Sequence, residues 1–187
     1  ILYLINNRGQ VEWTREIDGK IIKEVNQIDS YKNGKLQYVF ATAKSLNLLD
    51  RKGRDVGKFP LKFRDEITSP VSVFDYDKNK NYRLLVTQNN ELFMFDSKGN
   101  RVRGFDYNKK NKIVTTPKHF RIGNKDIIVF KTIDKLTILN RRGAVRINAK
   151  TLHNYSSDDV FQYQNFLVTS TVKNEIVSID MKGCLLY

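Results

Sequence analysis

The sequence predicts an all-β protein made of four-stranded antiparallel sheets. Three observations support this: a strand–turn–strand pattern recurs five times, a second hairpin lies between successive copies, and no segment shows the 3.6-residue periodicity of a helix. The 187 residues, 40% of them hydrophobic, are enough for a substantial core. No run approaches 18 consecutive apolar residues, so the sequence contains no candidate transmembrane helix.

The recurring pattern is a short apolar strand, then Asp or Asn, then Gly three residues later. Asp or Asn opens a turn by accepting backbone N–H groups, and Gly supplies a positive φ. The glycines are separated by 44, 46, 44 and 40 residues, and they are Gly9, Gly53, Gly99, Gly143 and Gly183. We predict positive φ at Gly53, Gly99 and Gly143, and short second strands at residues 10–13, 56–59, 102–105, 145–147 and 185–187.

A second hairpin is predicted between successive copies of this pattern. It is clearest at residues 71–74 with 82–87, and its counterparts are 25–28 with 36–42, 118–122 with 126–131, and 160–163 with 166–170. Each unit of about 44 residues therefore holds four short strands, which we call A to D from the innermost to the outermost.

Four-stranded units of this length are typical of β-propeller blades, which stack because one blade cannot bury both of its faces. We predict a partial β-propeller of about four and a half blades in one region, 1–187, with repeats at 1–22, 23–66, 67–113, 114–156 and 157–187. A row of sandwich modules is the alternative, but 44 residues is short for an independent sandwich. We expect the parent chain to supply further blades.

The net charge of +13 favours an acidic partner. A Lys or Arg precedes each turn glycine, and propeller symmetry predicts that these five side chains share one face: Arg8, Lys52, Lys98, Arg142 and Lys182. The A–B loops add lysines to that face, whereas the basic run at residues 109–112 is expected on the opposite one. The simpler interpretation is that exposed turns favour solvated residues. We do not expect nucleic-acid binding, because the basic segment at residues 106–112 carries a single aromatic residue, Tyr107.

One A–B loop alternates polar residues as calcium loops do, with Asp75, Asp77, Asn79 and Asn81 as candidate ligands. Lys78 and Lys80 lie between them and reduce the local negative potential. We therefore expect a polar hairpin turn, in which the Asp and Asn side chains accept backbone N–H groups, and no bound Ca²⁺.

Residues 2–13, from Leu2 to the turn glycine Gly9 and Trp13, resemble the repeat of PQQ-type (quinoprotein-like) propellers, in which a Trp docks between blades. The Thr-Ser-Pro-Val at 68–71 and Thr-Thr-Pro at 115–117 also match that family. Its dehydrogenases need a Ca²⁺-bound quinone and a vicinal Cys pair, whereas this chain has only Cys184. The resemblance therefore implies a non-enzymatic scaffold without a cofactor, in an extracytoplasmic setting such as the periplasm or cell surface.

We expect this scaffold to bind a protein or an acidic polymer. Residues 74–86 are also similar to an FG-GAP (integrin-like) loop, which implies the alternative of a Ca²⁺-dependent adhesive propeller. A polysaccharide-active enzyme with a carboxylate pair in a central channel is another alternative. His119 is expected on an innermost strand, as a hydrogen-bonded residue or lining that channel, and His153 in a polar loop; neither belongs to a recognisable nucleophile motif.

Overall fold

The computed structural model describes residues 1–149 and 154–186, and every regular element within these ranges is a β-strand. The strands are β1 (Leu2–Ile5), β2 (Val11–Arg15), β3 (Asn26–Ile28), β4 (Gln37–Ala41), β5 (Ser45–Leu49), β6 (Leu61–Lys62), β7 (Ser72–Phe74), β8 (Arg83–Gln88), β9 (Glu91–Asp96), β10 (Tyr107–Asn108), β11 (Lys118–Ile122), β12 (Lys125–Lys131), β13 (Leu136–Leu139), β14 (Val145–Asn148), β15 (Phe161–Tyr163), β16 (Phe166–Ser170), β17 (Ile176–Ile179) and β18 (Leu185–Leu186). None of the described residues lies in a helix with the length and apolarity needed to span a membrane.

In the described part of the chain these strands form one two-stranded and four four-stranded sheets. Sheet 1 is β1-β2, sheet 2 is β3-β4-β5-β6, sheet 3 is β7-β8-β9-β10, sheet 4 is β11-β12-β13-β14 and sheet 5 is β15-β16-β17-β18. Strand order follows chain order in each sheet, so the predicted order of strands A to D is confirmed. Because neighbouring strands are antiparallel, the A–B and C–D turns lie at one end of each sheet and the B–C turn lies at the other.

The middle strands carry the core. All five residues of β5 and all four of β13 are buried, as are the last six of β12. Strands buried on both faces lack the alternation of a half-exposed sheet, which explains the continuous apolar run at residues 127–130 of β12. The chain divides into two compact units, Ile1–Gln88 with Met94–Arg101, and Asn89–Phe93 with Val102–Tyr187.

The predicted turn chemistry is confirmed. Gly53, Gly99 and Gly143 have φ of 73°, 82° and 83°. In the sheet 2 turn, Asp50 Oδ1 accepts hydrogen bonds from the backbone N–H groups of Lys52 at 2.8 Å and Arg54 at 3.0 Å. The Asp or Asn side chain thus fixes the turn, and glycine provides its left-handed residue.

Two of the predicted D strands are wrong. Residues 56–59 do not form a strand: after Asp55 bridges Leu49, the chain turns at Gly57 (φ 60°) and pairs again only at β6. Residues 102–105 behave in the same way, with a turn at Gly104 (φ 79°) before β10. The interruption directs apolar side chains of these segments inward instead of along a strand, and the buried ones are Val56, Phe59 and Phe105.

The other three second strands form at Val11–Arg15, Val145–Asn148 and Leu185–Leu186, within one to two residues of their predicted bounds. Tyr187, which the last prediction included, lies outside the described residues, as does His153.

Each turn glycine after the first packs against the D segment of the preceding repeat. A Cβ on Gly53 would lie 2.9 Å from two carbons of the Trp13 indole, whose Nε1 donates to the Arg51 carbonyl oxygen at 2.8 Å. Gly99 meets Lys58 and Leu61 in the same way, and the remaining two pairs are Gly143 with Asp106 and Gly183 with Asn148. The turn glycines therefore permit close packing between repeats as well as a tight turn.

Candidate binding surface on the C–D turns

The five basic residues that precede the turn glycines are all exposed. In every copy the backbone N–H of the basic residue donates to the turn Asp or Asn, at 2.8–2.9 Å: Arg8, Lys52, Lys98, Arg142 and Lys182. Arg8, Lys52 and Lys98 belong to the first compact unit, and Arg142 and Lys182 to the second. A hydrogen-bonded turn thus presents an exposed cationic side chain at the same position of each repeat.

A cleft of about 610 Å³ lies beside Lys52 in the first unit. The A–B loop and C–D turn of sheet 2 line it together with residues of β1 and β2. Four cationic side chains face two carboxylates there, which leaves a local excess of positive charge: Lys35, Arg51, Lys52 and Arg54 against Glu12 and Asp50. Tyr31 and Tyr38 add aromatic surface, and Tyr31 is 54% exposed.

Asp50 connects this cleft to the turn. Burial alone would raise the pKa of its carboxyl, but hydrogen bonds from the Arg54 side chain and from the backbone N–H groups of Arg54 and Lys52 outweigh burial and lower the pKa. The Arg54 guanidinium lies 2.7 Å from Asp50 Oδ2. The Asp50 carboxylate is occupied by hydrogen bonds from its own turn. The other cationic side chains of the cleft, Lys35, Arg51 and Lys52, are therefore the groups that would attract an anion.

In the second unit, three basic side chains donate hydrogen bonds to one buried carboxylate, that of Asp126. Asp126 on β12 accepts hydrogen bonds from His119 Nε2 at 2.8 Å, Arg121 Nε at 2.9 Å and Arg141 Nε at 2.8 Å. Burial would raise the pKa of Asp126, but the bonds from Arg121, His119 and Arg141 hold it at about 2. His119 lies on β11, the first strand of sheet 4, and is hydrogen-bonded to Asp126.

The candidate calcium loop is organised by its own backbone. Asp75 accepts the backbone N–H groups of Asn79 at 3.1 Å and Lys80 at 2.9 Å, and Asn79 Oδ1 accepts that of Asn81 at 3.0 Å. Asp77 is exposed. Asn81 Oδ1 accepts a hydrogen bond from the ammonium group of Lys32 at 2.7 Å. Asp75, Asn79 and Asn81, three of the four proposed ligands, therefore already accept hydrogen bonds from N–H donors, as expected for a polar hairpin turn.

Lys80, from one A–B loop of the first unit, neutralises the carboxylate of Asp29 in another A–B loop. Lys80 Nζ lies 2.6 Å from the buried Asp29 Oδ2, and this hydrogen bond is the main reason that the pKa of Asp29 is lowered. Asp29 also accepts the backbone N–H groups of Asn33 and Gly34, at 3.0 and 2.8 Å. The two A–B loops are thus joined by an ion pair of the chain itself. Among the described residues, no three His, Cys, Asp or Glu side chains come together as a metal-binding set.

The basic run at residues 109–112 lies at the other end of its sheet from the C–D turn. It follows the D strand β10, and the Lys109 backbone N–H donates to the Asn90 carbonyl oxygen in the B–C turn at 3.5 Å. Asn90 Nδ2 donates in return to the Lys109 carbonyl oxygen. Lys109, Lys110 and Lys112 are exposed. These three exposed lysines can therefore serve as a control for three basic residues of the C–D turns, because they carry the same charge at the other end of the sheet.

Two features, one in each compact unit, were not predicted from the sequence. The cleft beside Lys52 depends on how two loops of sheet 2 project beside β1 and β2, for which no sequence motif exists. The Asp126 cluster was partly readable, because Arg121 and Asp126 face each other in the predicted hairpin. The hydrogen bond from Arg141, in the C–D turn, to Asp126 could not be predicted from the sequence. Both features offer charge and hydrogen-bond donors, which is chemistry suited to holding an anion.

Comparisons with known proteins support the fold. No known family matches the chain, and no curated protein matches it. The solved structure of BBS1N in complex with ARL6DN, soaked with mercury, matches with a TM-score of 0.66 at 13% identity, over 90% of this chain and 56% of that one. A lead-soaked structure of the same complex gives 0.62 at 10% identity, over 90% and 66%.

The crystal structure of BamB from Moraxella catarrhalis matches with a TM-score of 0.63 at 13% identity, over 96% of this chain and 52% of that one. This chain thus spans about one half to two thirds of the length of these structures. At such identities the likeness concerns architecture alone. The four-stranded antiparallel sheets and these neighbours together show that the chain has a β-propeller fold with four-stranded blades.

Proposed function

We propose that this chain is part of a non-enzymatic β-propeller scaffold that binds an acidic protein partner through its basic C–D turns. The observation that carries the proposal is the exposed Lys or Arg held by the same Asp/Asn turn in all five copies of the repeat. A protein partner is favoured over a polymer because BBS1N, a structure of similar fold, is recorded in complex with ARL6DN. Poly-cationic turns also steer an acidic partner over long range.

The cleft beside Lys52 is the best-defined anchor in the first unit. An acidic side chain entering it meets Lys35, Arg51 and Lys52, while Tyr31 offers a rigid aromatic contact. Tyrosine and arginine are enriched among the residues that dominate protein interfaces, since they combine contact area with directed hydrogen bonds. We therefore expect an acidic segment with neighbouring apolar residues to bind better than charge alone would predict.

The experiment compares two triple variants. The first changes Lys52, Lys98 and Arg142 to Glu, and the second changes Lys109, Lys110 and Lys112 to Glu, so both alter the net charge equally. A fluorescent poly-glutamate peptide serves as the acidic-protein probe and heparin as the polymer probe. Peptide binding should weaken as the Debye length falls from about 10 Å at 0.1 M salt to about 3 Å at 1 M. The first variant should lose much more binding than the second.

Equal loss in the two variants would mean that the charge acts diffusely, and the turn surface would be wrong. Binding of heparin alone, with none of poly-glutamate, would replace the protein partner by an acidic polymer. We also propose an extracytoplasmic setting, which the resemblance of residues 2–13 implies. Fractionation of cells producing the full-length protein tests this, and recovery in the cytosol alone would contradict it.

A further inference from the structure

A second cleft, of about 260 Å³, lies in the second compact unit. It is lined by residues of β10 in sheet 3 and of β13 and β14 in sheet 4, and we call it the β10–β14 cleft. Tyr107 belongs to β10, Thr137 to β13 and Val145 to β14. None of the described residues that line it belongs to a C–D turn, so it is separate from the basic surface proposed above.

The two ends of the β10–β14 cleft differ in charge. Lys109 directly follows β10, Lys135 directly precedes β13, and these two exposed lysines both line the cleft. Val145 pairs with Leu139 at the other end of β13 and is 48% exposed. The cleft therefore has a cationic end and an apolar end.

No described carboxylate neutralises the cationic end. Among the described residues, neither Lys109 nor Lys135 forms an ion pair. Asp134, beside Lys135 in sequence, accepts hydrogen bonds from Thr132 at 2.7 Å and Asn111 at 2.6 Å. The hydrogen bond from Thr132 is the main reason that the pKa of Asp134 is lowered, and the charge of Lys135 contributes least. The positive charge of this end is thus available to a ligand.

The part of the cleft between these ends contains a buried hydroxyl. Thr137 is 4% exposed, and its Oγ1 makes no hydrogen bond of ordinary length and angle to a described residue. Burying an unbonded hydroxyl is unfavourable. The equivalent residue of sheet 5, which also lies three positions before the turn Asp or Asn, is the fully buried Val177. Packing alone therefore permits a valine, and the hydroxyl needs another explanation.

Tyr107 supplies a second hydroxyl near Thr137. Burial raises the pKa of the Tyr107 phenol, and the neighbouring Thr137 side chain opposes that shift only in part. The phenol therefore keeps its proton near neutral pH and can donate it to an acceptor. Two hydroxyl donors beside two ammonium groups, with an apolar surface further along, suit a carboxylate that carries an apolar chain.

We propose that the β10–β14 cleft binds a small monocarboxylate with a short apolar chain. The carboxylate lies near Lys109 and Lys135 and accepts hydrogen bonds from the two hydroxyls, and the chain lies along Val145. The cleft volume of about 260 Å³ is below the roughly 300–1,000 Å³ of pockets for drug-sized ligands, so the ligand is small. The proposal does not depend on the scaffold function, because the C–D turns take no part in it.

Four probes separate the effect of charge from that of the apolar chain: hexanoate, acetate, hexanol and hexylamine. Two-dimensional NMR titration at low salt measures their binding. Hexanoate should saturably shift the amide signals of Thr137 and its neighbours, with a dissociation constant of about 1 mM or below. Acetate and hexanol should bind more weakly, and hexylamine should not bind. The proposal would be overturned by equal binding of hexylamine, by shifts confined to the C–D turns, or by no saturable shift at about 10 mM hexanoate.

Two variants of equal charge locate the carboxylate. Lys135 lines the cleft, whereas Lys125 is an exposed lysine at the A–B end of the same sheet. Lys135→Gln should weaken hexanoate binding about three- to tenfold and leave hexanol binding unchanged, because only the carboxylate meets the ammonium group. Lys125→Gln should change neither. Equal losses of hexanoate binding in the two variants would mean that net charge alone attracts the anion, and the cleft would be the wrong site.

Thr137→Val separates a ligand-binding hydroxyl from a structural one. Without ligand, the variant should unfold at a higher urea concentration than the parent chain, because it no longer buries an unbonded hydroxyl. It should also bind hexanoate about threefold more weakly, because one hydrogen bond to the carboxylate is lost. A hydroxyl that is satisfied within the fold would give the reverse, a less stable variant with unchanged hexanoate binding. Either of these two results would contradict the role given to Thr137.

Discussion

Gly143 and Asp106 pack so closely that no side chain fits between them. A Cβ on Gly143 would lie 2.9 Å from the Asp106 carbonyl carbon and closer still to its oxygen. The Asp106 N–H donates to the Arg142 carbonyl oxygen at 3.2 Å, so the two segments cannot separate without losing a hydrogen bond. Gly143 also has a φ of 83°.

Gly143→Ala should therefore lower the free energy of unfolding by about 3 kcal/mol, from about 1–2 kcal/mol for the left-handed backbone and about 1–3 kcal/mol for overpacking. Urea unfolding measures this. Gly123→Ala is the matched control, because Gly123 has a φ of 58° but nothing within 4 Å of its Cβ position. It should cost about 1 kcal/mol. Equal losses in the two variants would contradict the close packing against Asp106.

Asp126 makes part of the stability depend on acidity. Its pKa is lowered from 3.8 to about 2 in the folded protein, so its stabilising contribution is fully present above about pH 4 and is lost as the pH falls toward 2. We expect this contribution to be on the order of 1–2 kcal/mol, since the arginine partners are partly solvated. Urea unfolding between pH 6 and pH 2.5 should show a smaller acid-induced loss of stability in a triple variant with Arg121→Gln, Asp126→Asn and Arg141→Gln. Parallel pH profiles would contradict the assignment.

Lys131 should make stability depend on pH in the alkaline range. This fully buried lysine donates to the carbonyl oxygens of Ser156 at 3.0 Å and Asp158 at 2.7 Å. Burial lowers its pKa, and the carboxylates of Asp158 and Asp159 oppose that shift only in part. The unfolded chain then binds the proton more strongly, so this residue's contribution to stability should rise as the pH increases through the folded pKa toward 10.5.

The comparison protein is Lys131→Met, which keeps the volume of the side chain and removes the titrating group. Its stability relative to the parent chain should fall as the pH is raised from 7 to 10, because only the parent gains from deprotonation. Thermal unfolding across this range measures the difference. A difference that does not change with pH would show that the amine keeps its ordinary proton affinity.

Calcium should leave the melting temperature unchanged. Backbone N–H groups already donate hydrogen bonds to Asp75, and the Lys32 ammonium donates to Asn81. Lys80 forms an ion pair with Asp29. A bound ion would stabilise the fold by about 2.7 kcal/mol at a hundredfold excess over its dissociation constant. Calorimetry with and without about 1 mM Ca²⁺, in the parent and in Asp77→Ala, checks this. An upward shift lost in the variant would favour the adhesive-propeller alternative.

Backbone amides near both ends of the described chain should exchange fastest with solvent. Neither β1 nor β2 contains a buried residue, and β18 contains none either, whereas β5 and β13 are wholly buried. Strands with few buried contacts open locally at a low free energy. Hydrogen exchange should be fastest in residues 1–25 and 165–186. Uniform protection from end to end would contradict this expectation.

The sequence predicted the hairpins well because their turns are determined locally. Asp50 and Gly53 fix one turn through a side-chain acceptor and a positive φ, and neither needs the rest of the fold. Residues 56–59 were misassigned because apolar residues occur both in strands and in bulges, and only Gly57 marks the difference. Arg141 joins Asp126 through the folding of a turn over a hairpin, a long-range event that spacing along the chain does not encode.

The packing of each turn glycine on the preceding repeat has a consequence for synthesis. Trp13 packs on Gly53, and Asp106 packs on Gly143. The D segment of one repeat is therefore covered by a turn that leaves the ribosome some 35 to 40 residues later. At ~5–20 residues per second, each newly made repeat waits seconds for its successor. A repeat cut from the chain at its own boundary would therefore leave its D segment without the turn that covers it.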